Sequence, residues 1–437
     1  MLNKLGGIPI QPDAIRWLLT PKCLKIELLA CIKKAKNAIY ISTLYLEDDE
    51  AGREILSALM DAKAENPALD VKILVDFHRA RRGLIGHKGD SGNYLMYRKV
   101  IAAAKHPIEI LGVPVKSREF MGVLHLKGFV VDDTVIYSGA SINNIYLHQH
   151  EKYRFDRYHV IESVELARSM RQMVQTYLVE DDAVCSLTQE KECEHLPEKI
   201  DIRSFKARLS KAHYEFEQIR SGNRITPVVG LGRKKNKLNK LVVDMVAQSK
   251  ESLFICTPYF NPPNILGRAL AKHLRDGKRL DIVVGDKTAN DFYIPPEEEF
   301  STIGALPYMY EQSLRKFAKS QQWAIENGQL NIHLWKEGNN SYHLKGMSAD
   351  GRCHLITGSN LNPRAWSLDL ENGLLLQDET GCWQEKFEAE QTHILEHTKR
   401  LYHYSQVDTL NSYPTPVRKI MRRIRRLKAD FLLKRIL

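Results

Sequence analysis

The sequence lacks most of what would mark it as secreted, metal-bound or membrane-spanning. Its seven cysteines (Cys23, Cys31, Cys185, Cys193, Cys256, Cys353, Cys382) are scattered, and none sits in a C-x-x-C pair. That spacing argues against a zinc site or a disulfide framework and suits a reducing cytosol. No run of 18 or more apolar residues occurs, so no segment reads as a spanning helix. The stretch MLNKLGGIPIQPDAI has no apolar core of the signal-peptide kind. There is no metal-ligand cluster, and neither a metal nor another cofactor is expected. What is there is ordinary for a globular protein: 437 residues, 43% hydrophobic and 27% charged, with room for two or three domains.

The net charge of +11 is unevenly placed. Between Val417 and Leu437 nine Lys or Arg stand against one Asp, so +8 of it lies in the last 21 residues. In VRKIMRRIRRLKADFLLKRIL the apolar Val417, Ile420, Met421, Ile424, Leu427, Phe431 and Leu432 recur at three and four. Arg422, Arg423, Arg425, Arg426 and Lys428 take the other faces. This is the pattern of a basic amphipathic helix at a membrane surface, with Ile424 and Leu427 as inserting residues.

The rest of the chain repeats itself. AIYISTLYL, LDVKILVDF and IEILGV read as strands in the first half, with helical periodicity between them. Thr20-Pro21 reads as a helix start. SLFICTPYF, LDIVVGD and LNIHLW follow in the same order in the second half. A period of this length means two similar lobes rather than a solenoid. Each lobe is expected to be α/β, a mixed sheet flanked by helices, the two related by a pseudo-twofold axis. The expected divisions are 1–164, a helical connector over 165–225, a second lobe over 226–400, and a docking segment over 401–437.

Two stretches carry the chemistry. VLHLKGFVVDD holds His125, Lys127 and Asp132; SYHLKGMSADG holds His343, Lys345 and Asp350, 218 positions later. On a strand, His and Lys two residues apart point to one face, while each Asp sits too far along to be their direct partner and is expected to fix the following turn. If the lobes meet at the axis, two imidazoles and two ammonium groups share one site. That set suits a phosphodiester: lysines hold the non-bridging oxygens, one imidazole attacks phosphorus, and the other protonates the leaving oxygen.

The twin pattern resembles the phospholipase D superfamily, whose motif is H-x-K-x4-D followed by a small-residue G-S-x-N turn. Lobe two has TGSNLN with Asn360 and Asn362; lobe one has SGASINN, with Ser141 in the place of Asn360 and with Asn143. The resemblance implies two phospholipase D-like lobes, with these four residues as phosphate contacts; for Asn143 and Asn362 turn capping is an equal alternative. It also implies an acidic residue some 28 positions after each His, bonded to the ring: Glu371 for His343, and Asp156, 31 positions on, for His125. Asp132 and Asp350 belong to the motif as well. By the same analogy His125 is taken as nucleophile and His343 as acid/base, although their nearly identical surroundings do not rank them.

The longer stretches LITGSNLNPRAWSLDLEN, GALPYMYE and DKTANDFYIP, together with the basic tail, resemble the bacterial phospholipase D-type phosphatidylserine synthases over nearly the whole chain. That resemblance implies CDP-diacylglycerol and L-serine as substrates. Arg154 and Arg364 become candidates for the pyrophosphate or the serine carboxylate. Tyr45 and Tyr259 are core aromatics or line the cleft. The expected location is peripheral, in the cytoplasm on the inner face of the membrane, with the tail helix on anionic lipid. The alternatives are another phosphatidyltransferase or a phospholipase D, and a nuclease whose tail binds polyanions nonspecifically. The oligomeric state is left open.

Overall fold

The computed structural model describes residues 5–82, 92–189 and 198–426. Its architecture is the expected duplication. In lobe one the strands lie side by side in the order Cys185–Ser186, Glu109–Val113, Asp70–Asp76, Ala38–Ser42, Phe129–Val131, Thr134–Ser138, Tyr158–Glu162, Ile15–Leu18. In lobe two the order is Thr398–Leu401, Leu330–Trp335, Arg279–Gly285, Ser252–Thr257, Gly346–Ala349, Cys353–Thr357, Leu370–Gln377, Arg224–Leu231. Position by position these are the same sheet. In each, three parallel strands carry crossover helices and the remaining neighbours are antiparallel.

Local sequence explains the elements. Thr20 caps the helix Pro21–Lys34, its hydroxyl accepting from the amide of Cys23 at 3.2 Å, with proline at the first helical position. Asp49 caps Glu50–Glu65 in the same way through Gly52. Both helices bury aliphatic faces against the parallel strands.

Four expectations need correction. The stretch LHLKGFVV is not one continuous strand. It breaks at Gly128, whose φ of +121° any other residue would adopt only with strain, and Gly346 repeats the break at +128°. This is why a glycine closes HLKG in both copies: before it the chain pairs with the other lobe, and after it the chain joins its own sheet. The connector is not purely helical, because Cys185–Ser186 adds an edge strand to lobe one and Arg224 already belongs to a lobe-two strand. Ile8–Pro9 crosses over to pair with that strand of lobe two. Cys185 is disulfide-bonded, although no disulfide was expected.

The core does not stop at the lobe boundary. Leu124, Leu126 and Val130 of lobe one pack in one buried cluster with Leu370, Leu374 and Trp383 of lobe two and with the connector residues Met170, Met173 and Phe205. Two short parallel bridges cross the seam. Leu124–His125 pairs with Leu370–Glu371, and Arg154–Phe155 pairs with Ser341–Tyr342. These bridges set the site.

Candidate active site

Each bridge carries a histidine on one strand and a carboxylate on the other. In the first, His125 and Glu371 are register partners, and Nδ1 lies 2.9 Å from Glu371 Oε2. In the second, one residue beyond the paired Ser341–Tyr342, the His343 amide donates to the Phe155 carbonyl at 2.8 Å. His343 Nδ1 then lies 2.8 Å from Asp156 Oδ2. The carboxylates are therefore crossed. Glu371 serves the histidine of lobe one and Asp156 that of lobe two, the reverse of the pairing implied by counting along the chain. Neither lobe holds a complete histidine–carboxylate pair.

With a carboxylate at Nδ1, the ring nitrogen left for chemistry is Nε2. Both imidazoles are buried, with relative exposures of 7% and 6%. Burial lowers the proton affinity of both well below the ordinary value, and the neighbouring lysines add to it. Burial in turn pushes Glu371 well up and raises Asp156, against the pull of the lysines. The site at rest thus disfavours a full imidazolium, which leaves a lone pair for attack.

Lys127 and Lys345 are each 1% exposed. Burial brings the first ammonium down to about 8 and the second to about 7, with the nearby carboxylates opposing. Lys127 Nζ lies 3.4 Å from Ser141 Oγ, and Lys345 Nζ contacts His343 Nδ1 and Asp156. Asn372, next to Glu371, clamps the Lys127 backbone through its amide at 2.9 and 2.8 Å. The lysine stem passes so close to Gly358 that a Cβ there would stand 2.6 Å from Lys127 Cγ.

Other expected residues fall into two groups. Ser141 reaches the site through Lys127 Nζ, while Asn360 Oδ1 is a buried acceptor with no hydrogen bond among the described residues. Asn143 and Asn362 are capping residues: their side chains accept from Tyr146 N at 2.9 Å and Ala365 N at 3.0 Å. Asp132 and Asp350 do not meet the histidines. Asp132 accepts from the amides of Lys36, Asn37 and Ala38 at 2.8 to 2.9 Å, and Asp350 from Lys250, Glu251 and Ser252 at 2.8 to 3.0 Å. Each ties the hairpin to the loop entering the central strand, so their work is structural. Arg364 pairs with Asp369 at 3.2 Å and bears on His125; Arg154 pairs with Asp291 at 2.9 Å and bears on His343. Tyr45 and Tyr259 are both buried; Tyr259 donates to Asp291 at 2.9 Å.

Tyr146 was missed. Its hydroxyl lies 3.0 Å from His343 Nε2, and the Arg154 guanidinium sits 4.6 Å from its ring centre. The duplication gave no signal, because lobe two has Ala365 at the matching cap position. Asp291 lies inside DKTANDFYIP but stood unremarked among other polar residues.

The two strand-and-motif units correspond to a known family model, described as "Cardiolipin synthase, PLD-like domain", which matches residues 28–178 and 242–394. The CDP-diacylglycerol–serine O-phosphatidyltransferase of Haemophilus influenzae is 45% identical, covering 100% of this chain and 97% of its own. That of Escherichia coli is 44% identical, with the same coverage of both chains. The chain belongs to the CDP-diacylglycerol–serine O-phosphatidyltransferase family of phospholipase D-like proteins. The crystal structure of phosphatidylserine synthase from Haemophilus influenzae Rd KW20 superposes with a TM-score of 0.96 at 44% identity, covering 100% of this chain and 98% of that one. In this chain the differing surroundings of the two histidines, Arg364 at one and Tyr146 with Arg154 and Asp291 at the other, break the symmetry that the sequence left intact.

Proposed function

We propose that the protein transfers the phosphatidyl group of CDP-diacylglycerol to L-serine, releasing CMP, through a phosphatidyl-histidine on His125. The activity follows from membership of the family, whose full-length relatives bear that name. The observation that carries the mechanism is the crossed pair of carboxylates, which engages Nδ1 of each imidazole and leaves Nε2 to face the site, beside Tyr146 Oη in the case of His343.

His125 Nε2 attacks the phosphorus of the phosphatidyl group, and the bond to the CMP oxygen breaks. CMP leaves as a phosphate anion held against Lys127 and Lys345, so its departure needs no proton from His343, whose proton affinity burial lowers. His343 then takes the proton of the serine hydroxyl, whose oxygen attacks phosphorus, and the phosphorus–nitrogen bond breaks to restore His125. Lys127 and Lys345 stabilise the charge on the non-bridging oxygens throughout. His343 is favoured as acid/base because Tyr146 Oη already marks a hydroxyl position beside its Nε2. Without serine the enzyme should exchange labelled CMP into CDP-diacylglycerol, and mass spectrometry should find phosphohistidine at residue 125. Transfer without any exchange would overturn the two-step scheme, and phosphate on residue 343 would reverse the assignment.

The protein works as a peripheral protein on the inner face of the cytoplasmic membrane. No helix among the described residues is long and apolar enough to cross a membrane. The helix Thr415–Arg426 supports docking in a modified form. Val417 and Met421 are buried against Tyr308 and Tyr413, so part of the apolar stripe fastens the helix to lobe two. Ile424 is half-buried, while Arg422, Arg423 and Arg426 are exposed for anionic lipid. Leu427 lies outside the described residues.

A further inference from the structure

The acceptor of this reaction is a zwitterion, and the site holds a matched pair of charges that the chemistry at phosphorus does not use. Arg154 and Asp291 stand 2.9 Å apart, with 14% and 10% of their side chains exposed. Arg154 comes from lobe one, two residues before Asp156, and Asp291 from a lobe-two loop after Arg279–Gly285. Tyr146 lies between this pair and the acid/base histidine: the guanidinium is 4.6 Å from its ring, and its hydroxyl is 3.0 Å from His343 Nε2.

An ion pair kept for stability alone would use its hydrogen-bonding groups on each other. This one does not. The nearest approach of the Arg154 guanidinium to Asp291 and its hydrogen bond to Ser341 Oγ at 3.3 Å both go through Nε, and among the described residues neither terminal nitrogen makes a hydrogen bond. Asp291 Oδ2 accepts from Tyr259. Its Oδ1 is close to Nε but out of line for a hydrogen bond, and is left as a buried acceptor without a donor. A buried carboxylate oxygen without a donor is costly unless something arrives to supply one.

We propose that Arg154 and Asp291 together are the amino-acid subsite: the guanidinium's terminal nitrogens take the α-carboxylate of serine, and Asp291 Oδ1 takes its α-ammonium. The serine hydroxyl is then presented to His343 Nε2 on the side of Tyr146, whose hydroxyl gives up its contact with that nitrogen. The subsite rests on the serine-transfer reading above and adds its specificity: an alcohol must carry both charges to be held there. Asp291 also raises the proton affinity of His343 while Arg154 lowers it, so a bound zwitterion leaves the base close to its resting state.

The test compares four acceptors in steady state: L-serine, ethanolamine (no carboxylate), 3-hydroxypropanoate (no ammonium) and glycerol (neither). The readout is the ratio of kcat/KM values, which is independent of how much active enzyme a preparation holds. Wild type should prefer serine over each analogue by roughly 10²-fold or more. In Asp291→Asn the preference over 3-hydroxypropanoate should collapse while that over ethanolamine persists. In Arg154→Gln the pattern should invert. Tyr259→Phe, which removes the donor from Asp291 Oδ2, should shift the preference for serine over 3-hydroxypropanoate several-fold while leaving that over ethanolamine, and it decides the matter if the Asp291 variant does not fold. Unchanged ratios in all three variants would overturn the subsite. CMP exchange by wild type without serine reports separately on the two-step scheme, so failure there is distinguishable from failure here.

Discussion

Glu371 lies in lobe two yet hydrogen-bonds Nδ1 of His125 in lobe one at 2.9 Å, while Asp156 of lobe one does the same for His343 of lobe two at 2.8 Å. Both histidine–carboxylate pairs form across the seam. A lobe that drifts from its partner loses both at once.

Substitutions should therefore act across the boundary. Glu371→Gln, in lobe two, should suppress phosphohistidine formation at residue 125, with turnover falling roughly 10²–10⁴-fold. Asp156→Asn should slow the serine step more than the CMP step. A phosphate-bearing leaving group departs with little help, whereas an alcohol needs a base. Rapid-quench measurement of the two half-reactions checks this. A Glu371→Gln protein that still phosphorylates residue 125 at the wild-type rate would refute the crossed assignment.

The lysines set the alkaline limit. Burial lowers Lys345 to about 7 and Lys127 to about 8 in the free enzyme. Above those values the ammonium groups lose their protons and the oxygens of the phosphoryl group lose their counter-charge. The profile of kcat/KM should fall on its alkaline side between about 7 and 8. A bound phosphodiester favours the charged lysines, so the limb of kcat should lie higher. The histidines, held well below 6.5, put the acid limb below that pH. A kcat/KM profile flat to pH 10 would contradict the burial of charge in this site.

Asp132 and Asp350 should prove structural. Burial raises each carboxyl, but three backbone donors outweigh it and hold the folded pKa below the ordinary 3.8. Their stabilisation is present above the unfolded value and is lost as pH falls through the folded one. Asp350→Asn should cost about 1–3 kcal/mol through weakened amide bonds, read as a lower Tm, with kcat close to wild type in the folded fraction. A stable but inactive Asp350→Asn would place this residue in the chemistry after all.

The tail helix should separate into two functions. Replacing Arg422, Arg423 and Arg426 with Gln removes about 1 kcal/mol of attraction each near an anionic leaflet, so vesicle binding should fall roughly 100-fold at low salt. Adding salt should weaken wild-type binding in the same direction. Val417→Ser and Met421→Ser should instead loosen the helix from Tyr308 and Tyr413 and lower thermal stability. Cosedimentation with anionic and neutral vesicles, beside a melting curve, reads both. Equal vesicle binding by the triple variant would move the docking surface to the lobes.

The sequence by itself determined the duplication, the succession of strand segments along each half, the His–Lys motif and the basic helix. Each of these is written in local periodicity or in repeated residues, and the glycine of HLKG stands in both copies because the backbone at Gly128 and Gly346 admits little else. Only the tertiary structure decided which carboxylate serves which histidine. Spacing along a chain is silent about partners supplied by a second lobe, and Glu371 is 246 residues from His125 but adjacent to it in the sheet. The same holds for Tyr146 and Asp291. They have no twin in the other lobe to flag them, and they matter only because the fold brings a turn of one lobe and a loop of the other to the same histidine. The asymmetry between the surroundings of two nearly identical motifs is a property of packing.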